Sequence, residues 1–164
     1  VCIMLRNQSI VFKNKSGLIN LLRQNLSNPT VMKISKGLYL TWGYYAGTYG
    51  TLDEYPDYLF DADFTALKYG PTDQDFLKNF DESSEINEIK ESDFAASLPD
   101  SQKSNVILFI KNLASQLDKI DDFAVMLRTK QDAAYDDVYQ DGQQIHMNNE
   151  AIATEYVAMI NKTH

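Results

Sequence analysis

The stretch PTVMKISKGLYLTWGYYAGTY, residues 29–49, carries the clearest structural pattern in the chain. Asn28 is a favourable N-cap residue, and Pro29 suits the first helical position, where its missing N–H costs nothing. Large apolar side chains then recur every three to four residues, which is the helical period: Ile34, Leu38, Trp42, Tyr45 and Tyr49. The pattern predicts a helix from Asn28 to about Tyr49 with one buried face.

Two glycines, Gly43 and Gly47, lie one turn apart within this predicted helix. Each weakens a helix by about 1 kcal/mol relative to alanine, so packing should compensate. We therefore expect another element to approach the helix closely at these two positions. Gly50 is expected to end the helix.

The same period and similar start signals predict further helices. They cover Ser16–Leu26, Thr72 or Asp73 to Phe80, a segment from Pro99 to about Leu117, a segment from Asp121, about Asp132–Tyr139, and a last helix from Asn148 or Asn149. On the helix after Pro99, Lys103 and Lys111 are expected outside. The prediction is a mainly α-helical fold: a single compact domain of six or seven helices, with room for one or two short strands.

Four connecting segments complete this organisation. Thr51–Phe60 is predicted to be a loop rich in acids and tyrosines, and residues 60–69 fit either a short strand or an irregular packed segment. Tyr69-Gly70-Pro71 is a turn signal. The polar segment Asp81–Asp93 is predicted to be a mobile loop with about one helical turn.

Composition narrows the classes of partner. The chain has 164 residues, 44% of them hydrophobic, and a net charge of −8. The excess of acid disfavours nucleic acids and anionic membrane surfaces. It favours a basic protein partner, although it can also serve solubility alone. Cys2 is the single cysteine, which excludes an internal disulfide and fits a cytoplasmic location. The chain has no apolar run near the roughly 20 residues of a membrane helix.

The sequence offers no evident catalytic, metal or cofactor site. The histidines are His146 and His164, and Cys2 is far from both, so no zinc cluster is expected. No calcium loop or phosphate-binding glycine loop is present. A catalytic pair of Cys2 and His146 would need a chain terminus to pack accurately against a linker. We therefore expect a protein that is not an enzyme.

Two features are candidates for partner binding. The first is a ridge of aspartates, which can equally be a solvated face: Asp132, Asp136, Asp137 and Asp141. The second is a group of tyrosines, which suit interfaces but also half-buried cores: Tyr44, Tyr45, Tyr49, Tyr55, Tyr58 and Tyr69. From these we select the following candidate partner-binding residues: Tyr55, Tyr58, Asp132, Asp136 and Asp137.

Three segments resemble motifs of the SocA-like, or Panacea, domain family of phage-associated proteins. The first, KISKGLYLTWGYY, fits the family at Lys33, Lys36, Leu38, Tyr39, Trp42 and Tyr45. The second, FTALKYGP, fits at Phe64, Ala66, Tyr69, Gly70 and Pro71, with Leu67 where an aromatic is usual. The third, LRTKQDAAY, fits at Leu127, Thr129, Asp132 and Ala134, but has Lys130, Ala133 and Tyr135 where the family has His, Pro and Trp.

The resemblance implies a helical domain over residues 16–164, preceded by an N-terminal extension over residues 1–15. Many members of the family resemble antitoxins that neutralise small toxins by direct binding, and one acts as an adaptor to a protease. The expectation is therefore a non-catalytic protein-binding domain that binds a small basic toxin. The alternative is a phage or prophage protein that acts as an adaptor or inhibitor of a host factor. The motif residues themselves are expected to hold the fold, and the oligomeric state is left open.

Overall fold

The helix predicted near residues 29–49 forms the middle of the molecule. The computed structural model describes residues 9–163, and within them it has seven α-helices and five short strands. The helices are α1 (Lys15–Asn25), α2 (Val31–Thr48), α3 (Gln74–Asn79), α4 (Asp100–Leu117), α5 (Asp122–Lys130), α6 (Ala133–Asp136) and α7 (Asn149–Thr163). The strands are β1 (Ile10–Phe12), β2 (Tyr58–Phe60), β3 (Phe64–Leu67), β4 (Gly70–Asp73) and β5 (Ile145–His146). The mainly α-helical fold is confirmed, with more strands than the one or two expected.

The start of α2 differs from the prediction because Thr30, and not Asn28, is its N-cap. Thr30 has an extended backbone, and its hydroxyl accepts a hydrogen bond at 3.2 Å from a backbone N–H of the first turn. A threonine hydroxyl satisfies such a free helix donor much as an asparagine would. Pro29 thus precedes the cap. The Thr30 hydroxyl also donates to Asp122 at 2.8 Å, which ties the start of α2 to the start of α5.

The core forms around α2, which packs against α1, α4, α5, α7, β2 and β4. The apolar stripe predicted on α2 is buried, except for the half-buried Tyr49. The Trp42 indole N–H donates to the Phe60 carbonyl at 3.0 Å, which fixes β2 against α2. Burial of this stripe supplies the hydrophobic stabilisation that makes α2 the centre of the fold.

The first described strand lies within the segment predicted as an N-terminal extension. β1 pairs in parallel with β2, and Val11 and Phe12 are buried. Val11 and Phe12 of that extension are therefore part of the packed core. The same pairing explains why the predicted loop Thr51–Phe60 ends in a strand, since β1 supplies its backbone partners.

Residues 60–69, which were predicted as either a short strand or an irregular segment, contain the end of β2 and the whole of β3. β3 pairs antiparallel with β4 on one side and with β5 on the other. The turn between β3 and β4 is formed by Lys68 and Tyr69, so Gly70 and Pro71 of the predicted turn already belong to β4. Of the two predicted caps, Thr72 and Asp73, it is Asp73 that caps α3, because its carboxylate accepts from the Phe76 backbone N–H at 3.1 Å.

Residues 81–90 form an irregular segment that is hydrogen-bonded to Arg23 of α1. The Arg23 guanidinium donates to the carbonyls of Glu82 and Ser84 at 3.1 and 2.9 Å, and to the Ser84 hydroxyl at 3.1 Å. The predicted helical turn is present as a 3₁₀ turn at Glu91–Asp93. Three hydrogen bonds from one largely buried side chain give this polar segment a defined position, although it was predicted as a mobile loop.

Lys103 corrects the prediction for α4. It was expected outside, but it is buried, pairs with Glu91 and lies 5.4 Å from the centre of the Phe94 ring. Lys111 is exposed, as predicted.

α2 and α4 are the longest helices, at 18 residues each, yet no helix in residues 9–163 combines enough length with the apolar composition of a bilayer-crossing segment.

The helix predicted over Asp132–Tyr139 is shorter than expected. α6 has four residues, and Asp132 lies just before it as the N-cap residue. The first two N–H groups of α6 donate to the Glu155 carboxylate of α7, each at 2.8 Å. A carboxylate from a neighbouring helix thus caps α6, which leaves the Asp132 side chain available for other partners.

The two glycines of α2 allow α7 to pack closely, as predicted. A Cβ added at Gly43 would lie 2.7 Å from the Tyr156 ring. A Cβ added at Gly47 would lie 2.5 Å from the Ile160 side chain and 2.8 Å from the Tyr156 carbonyl oxygen. All three distances are too short for contacts of a methyl carbon, so alanine at either position would displace part of α7.

Gly47→Ala is expected to lower the free energy of unfolding by about 1–3 kcal/mol, because overpacking outweighs the gain in helix propensity. Gly37→Ala is the matched control on the same helix. Its added Cβ would meet only the ends of leucine side chains, the nearest being 3.3 Å away on Leu117. We expect that control to change the free energy by no more than about 1 kcal/mol. Urea denaturation of both variants tests this, and a stabilised Gly47→Ala protein would contradict the close packing.

Candidate functional site

The first two sequence motifs meet where α2 passes the start of β4. The Lys36 ammonium donates to the Pro71 carbonyl at 3.0 Å and to the Thr72 hydroxyl at 3.1 Å. Gly70 has a φ of 106°, which favours glycine. A Cβ at Gly70 would also lie 2.9 Å from the Thr129 hydroxyl of the third motif. The three segments that carry the family resemblance therefore pack together around this turn.

Most of the motif residues are buried, in agreement with a role in the fold. The buried ones are Lys33, Lys36, Leu38, Tyr39, Trp42, Tyr45, Phe64, Ala66, Gly70 and Pro71. Tyr69 is the exception, because 58% of it is exposed at the turn before Gly70.

Lys36 is a buried cation that is solvated by neutral groups. Only 2% of the residue is exposed, and no carboxylate in residues 9–163 forms an ion pair with it. Burial therefore lowers the pKa of Lys36 from 10.5 to about 7. The Lys36 amine therefore loses its proton far more readily than an exposed lysine does.

Asp132 is the centre of a second buried cluster, between α2, α5 and α7. One carboxylate oxygen accepts from the Tyr39 hydroxyl at 2.7 Å and from the Tyr156 hydroxyl at 2.6 Å. The other accepts from the Arg128 guanidinium at 2.7 Å. Asp132 is 3% exposed, so its charge is held by these donors and not by water.

Aromatic contacts surround this cluster. Tyr156 lies edge-on to Tyr39 and to Tyr44, with ring centres 6.2 and 5.0 Å apart. Arg128 also donates to the Tyr44 hydroxyl at 3.2 Å. The two helices that carry these tyrosines, α2 and α7, are thereby joined to α5 through one aspartate and one arginine.

The Tyr39 and Tyr156 hydroxyls of the Asp132 cluster have strongly raised pKa values. Burial raises the pKa of Tyr39 and of Tyr156 far above the usual value for tyrosine, and the negative charge of Asp132 raises both further. Both hydroxyls therefore remain hydrogen-bond donors at physiological pH. Because both oxygens of Asp132 have partners on other elements, the cluster holds the three helices together.

The predicted aspartate ridge is smaller than expected. Asp132 is buried, because it precedes α6 and faces the core, so it is not part of a solvated ridge. Asp136, Asp137 and Asp141 are exposed. The acidic surface in this region therefore consists of those three residues.

Tyr55 and Tyr58, the two candidate partner-binding tyrosines, both pack against other aromatic rings. Tyr58 is half-buried and stacks on Trp42, with ring centres 5.1 Å apart. Tyr55 packs against Tyr49 at 4.7 Å, and its hydroxyl accepts from Asn105 at 2.8 Å. Each still has some exposed surface at the edge of the core.

Metal-ligating residues are dispersed in the described part of the chain. His146 lies at the surface with its Nδ1 2.8 Å from Asp63. No group of three or more His, Cys, Asp and Glu side chains in residues 9–163 is placed to hold a metal ion. Cys2 and His164 lie outside the described residues.

An apolar cleft at the start of α2 is a feature that the sequence prediction missed. It has a volume of about 340 Å³ and is lined by Val31, Phe76, Leu77, Phe80, Asp81 and Glu82. Val31 is 42% exposed and Leu77 is 53% exposed. The sequence signal for this cleft was limited to Val31 and Leu77, two apolar residues that lie outside the predicted buried stripes.

The exposed face of α5 is also apolar. Phe123 and Leu127 lie four residues apart and are 64% and 40% exposed, while Val125 and Thr129 on the opposite face are buried. Apolar residues have helical spacing on both faces of α5, so the pattern alone did not distinguish the buried face. Exposed apolar side chains of this size on a helix are a common feature of protein-binding surfaces.

Comparison of the chain with models of protein families, with curated proteins and with solved structures finds no significant match.

Proposed function

We propose that this protein is a non-catalytic binding domain that neutralises a small basic toxin by direct contact, as the resemblance to SocA-like domains implies. The observation that carries the proposal is the meeting of the three motif segments around Gly70. Lys36 bonds to Pro71, and a side chain at Gly70 would collide with Thr129. The three segments that resemble one family therefore pack against one another in the folded chain.

The charge of the chain supports a basic partner. The net charge is −8, and acids such as Asp136, Asp137 and Asp141 are exposed. Opposite charges on two proteins accelerate their encounter and disfavour wrong partners. Because salt screens such attraction, association with the partner should weaken as ionic strength rises.

The proposal predicts rescue of growth. A tagged form of the protein is expressed in its native host, and the proteins that co-purify at moderate salt are identified by mass spectrometry. We expect one small basic protein that stops growth when it is expressed alone. Co-expression of the present protein should restore growth, and the two should form a stable complex in solution.

Two outcomes would reject toxin neutralisation. The first is a partner that is harmless when it is expressed alone. The second is a toxic partner whose effect persists despite co-expression. Recovery of a protease subunit or another host enzyme would instead favour the alternative, an adaptor or inhibitor of a host factor.

A further inference from the structure

The apolar cleft between α2 and α3 has a hydrophobic floor that is open to solvent. Phe76 and Phe80 are stacked, with ring centres 4.5 Å apart, and form one wall. Leu77 and Val31 contribute exposed aliphatic surface beside them. A concave apolar surface of this kind favours insertion of an apolar side chain, because it releases water from both surfaces.

The remaining two residues of the cleft are acidic. Asp81 and Glu82 line it, and the described residues that line it include no lysine or arginine. Hydrogen bonds from the hydroxyl and the backbone N–H of Ser83 lower the pKa of Asp81, so its carboxylate stays ionised. The Glu82 carboxylate has no partner among the described residues. The cleft thus combines an apolar floor with two carboxylates: that of Glu82, and that of Asp81, which also bonds to Ser83 and is attracted by Arg23.

The acidic side of the cleft is also held in place. Arg23 binds the Glu82 and Ser84 carbonyls, and its guanidinium carbon lies 5.5 Å from the centre of the Phe80 ring. Phe80 and the following residues are therefore fixed before any partner arrives. Such preorganisation reduces the entropy that is lost on binding.

We propose that this cleft is the docking site for a segment of a basic protein partner in which an apolar side chain is flanked by lysine or arginine. The apolar side chain would lie on Phe76, Leu77 and Phe80, and the flanking cations would face Asp81 and Glu82. The inference rests on the proposed function, since it names the surface and the chemistry by which a basic partner is recognised.

A peptide of this chemistry tests the site. The probe is an acetylated and amidated peptide with the sequence Lys-Arg-Leu-Phe-Arg-Lys. One control peptide has glutamates in place of the four basic residues, and another has serines in place of Leu-Phe. The full-length ¹⁵N-labelled protein is titrated with each peptide and followed by two-dimensional NMR. We expect the basic apolar peptide alone to shift the amide signals of residues 76–82 and Val31.

Matched variants separate the cleft from other exposed leucines. Leu77→Ser should weaken binding of the basic apolar peptide about tenfold, because it removes an apolar contact. Leu108→Ser should leave binding unchanged, since Leu108 is 59% exposed on α4 and is not part of the cleft. Glu82→Gln should weaken binding about threefold at low salt, whereas Glu88→Gln should not.

The proposal is overturned if the signals of residues 76–82 stay unchanged, or if the acidic peptide shifts them as strongly as the basic one. This outcome is separate from failure of toxin neutralisation, which growth rescue measures. Rescue without peptide binding would reject this docking site alone. Peptide binding without rescue would retain the site and reject the toxin as its partner.

Discussion

Asp132→Ala is expected to be severely destabilising, with a loss of about 3–5 kcal/mol in the free energy of unfolding. The substitution leaves the Tyr39 and Tyr156 hydroxyls without their shared acceptor. It also removes the carboxylate that binds Arg128. A buried polar group without a hydrogen-bond partner still carries the full free-energy cost of its removal from water. The expected loss of stability is therefore larger than the net contribution of an ordinary hydrogen bond.

A nearby exposed aspartate provides the control for Asp132→Ala. Asp137→Ala should change the free energy of unfolding by no more than about 0.5 kcal/mol, because Asp137 is a surface residue. Urea denaturation followed by circular dichroism measures both variants. Equal effects of the two substitutions would mean that Asp132 is part of a solvated ridge after all and would contradict the buried cluster.

A double-mutant cycle separates the cluster from general damage to the core. In a protein that already carries Tyr39→Phe and Tyr156→Phe, the hydroxyls that need an acceptor are gone. Asp132→Ala should then cost at least about 1 kcal/mol less than it does in the parent protein, because the groups are coupled. If Asp132→Ala lowers the free energy of unfolding equally in both backgrounds, its effect does not come from the two tyrosine hydroxyls.

The features predicted best from the sequence are those with local causes. The stripe on α2 follows from helical spacing, and a cap at Thr72 or Asp73 follows from the residues beside that helix. Gly43 and Gly47 predict the close approach of another element, although not that this element is α7. Each depends on residues within a few positions of one another. The pattern of side chains along the chain therefore contains the information that was needed.

The Asp132 cluster could not be predicted in the same way, because its partners are distant in sequence. Tyr39 is 93 residues from Asp132, and Tyr156 is 24 residues from it. Helical spacing placed Asp132 beside Asp136 and Asp137 on a presumed common face. α6 begins only after Asp132, so this residue is free to turn inward while the other two remain exposed.

The pairing of β1 with β2 and the cleft were missed for a related reason. β1 and β2 have three residues each, which is too short for a clear alternating pattern, and they exist because they pair with each other. The cleft combines Val31 with residues 76–82, and the two parts meet only in the folded chain. The sequence therefore predicts the helices of this domain better than the surface by which we propose it binds.

Lys36→Met is expected to stabilise the protein by about 2 kcal/mol at pH 7 and to remove a dependence of stability on pH. Methionine keeps a similar length while removing the cost of burying a charge. Part of the gain is offset because the Pro71 carbonyl and the Thr72 hydroxyl lose their donor. The net gain reflects the fact that neutral groups alone surround this ammonium.

The sign of the pH dependence follows from the two pKa values of Lys36. In the unfolded chain the amine has its ordinary pKa of 10.5, whereas burial lowers it to about 7 in the folded protein. Between pH 7 and 9 the unfolded chain therefore binds more protons. The Lys36 contribution to the free energy of unfolding should rise by about 2 kcal/mol over this interval. Above pH 10 the buried tyrosines also titrate in the unfolded chain, so the measurement is confined to lower pH.

Urea denaturation at pH 7, 8 and 9 compares the parent protein, Lys36→Met and Lys111→Met. Lys111 is exposed on α4, so its replacement should leave the parent's pH dependence intact. The difference between the parent and Lys36→Met isolates this one amine from every other group that titrates in the interval. If Lys36→Met is stabilised by the same amount at all three pH values, Lys36 does not lose its proton on folding. Its ammonium would then be held charged against the Pro71 carbonyl and the Thr72 hydroxyl, and the fold would tolerate a buried cation at this turn.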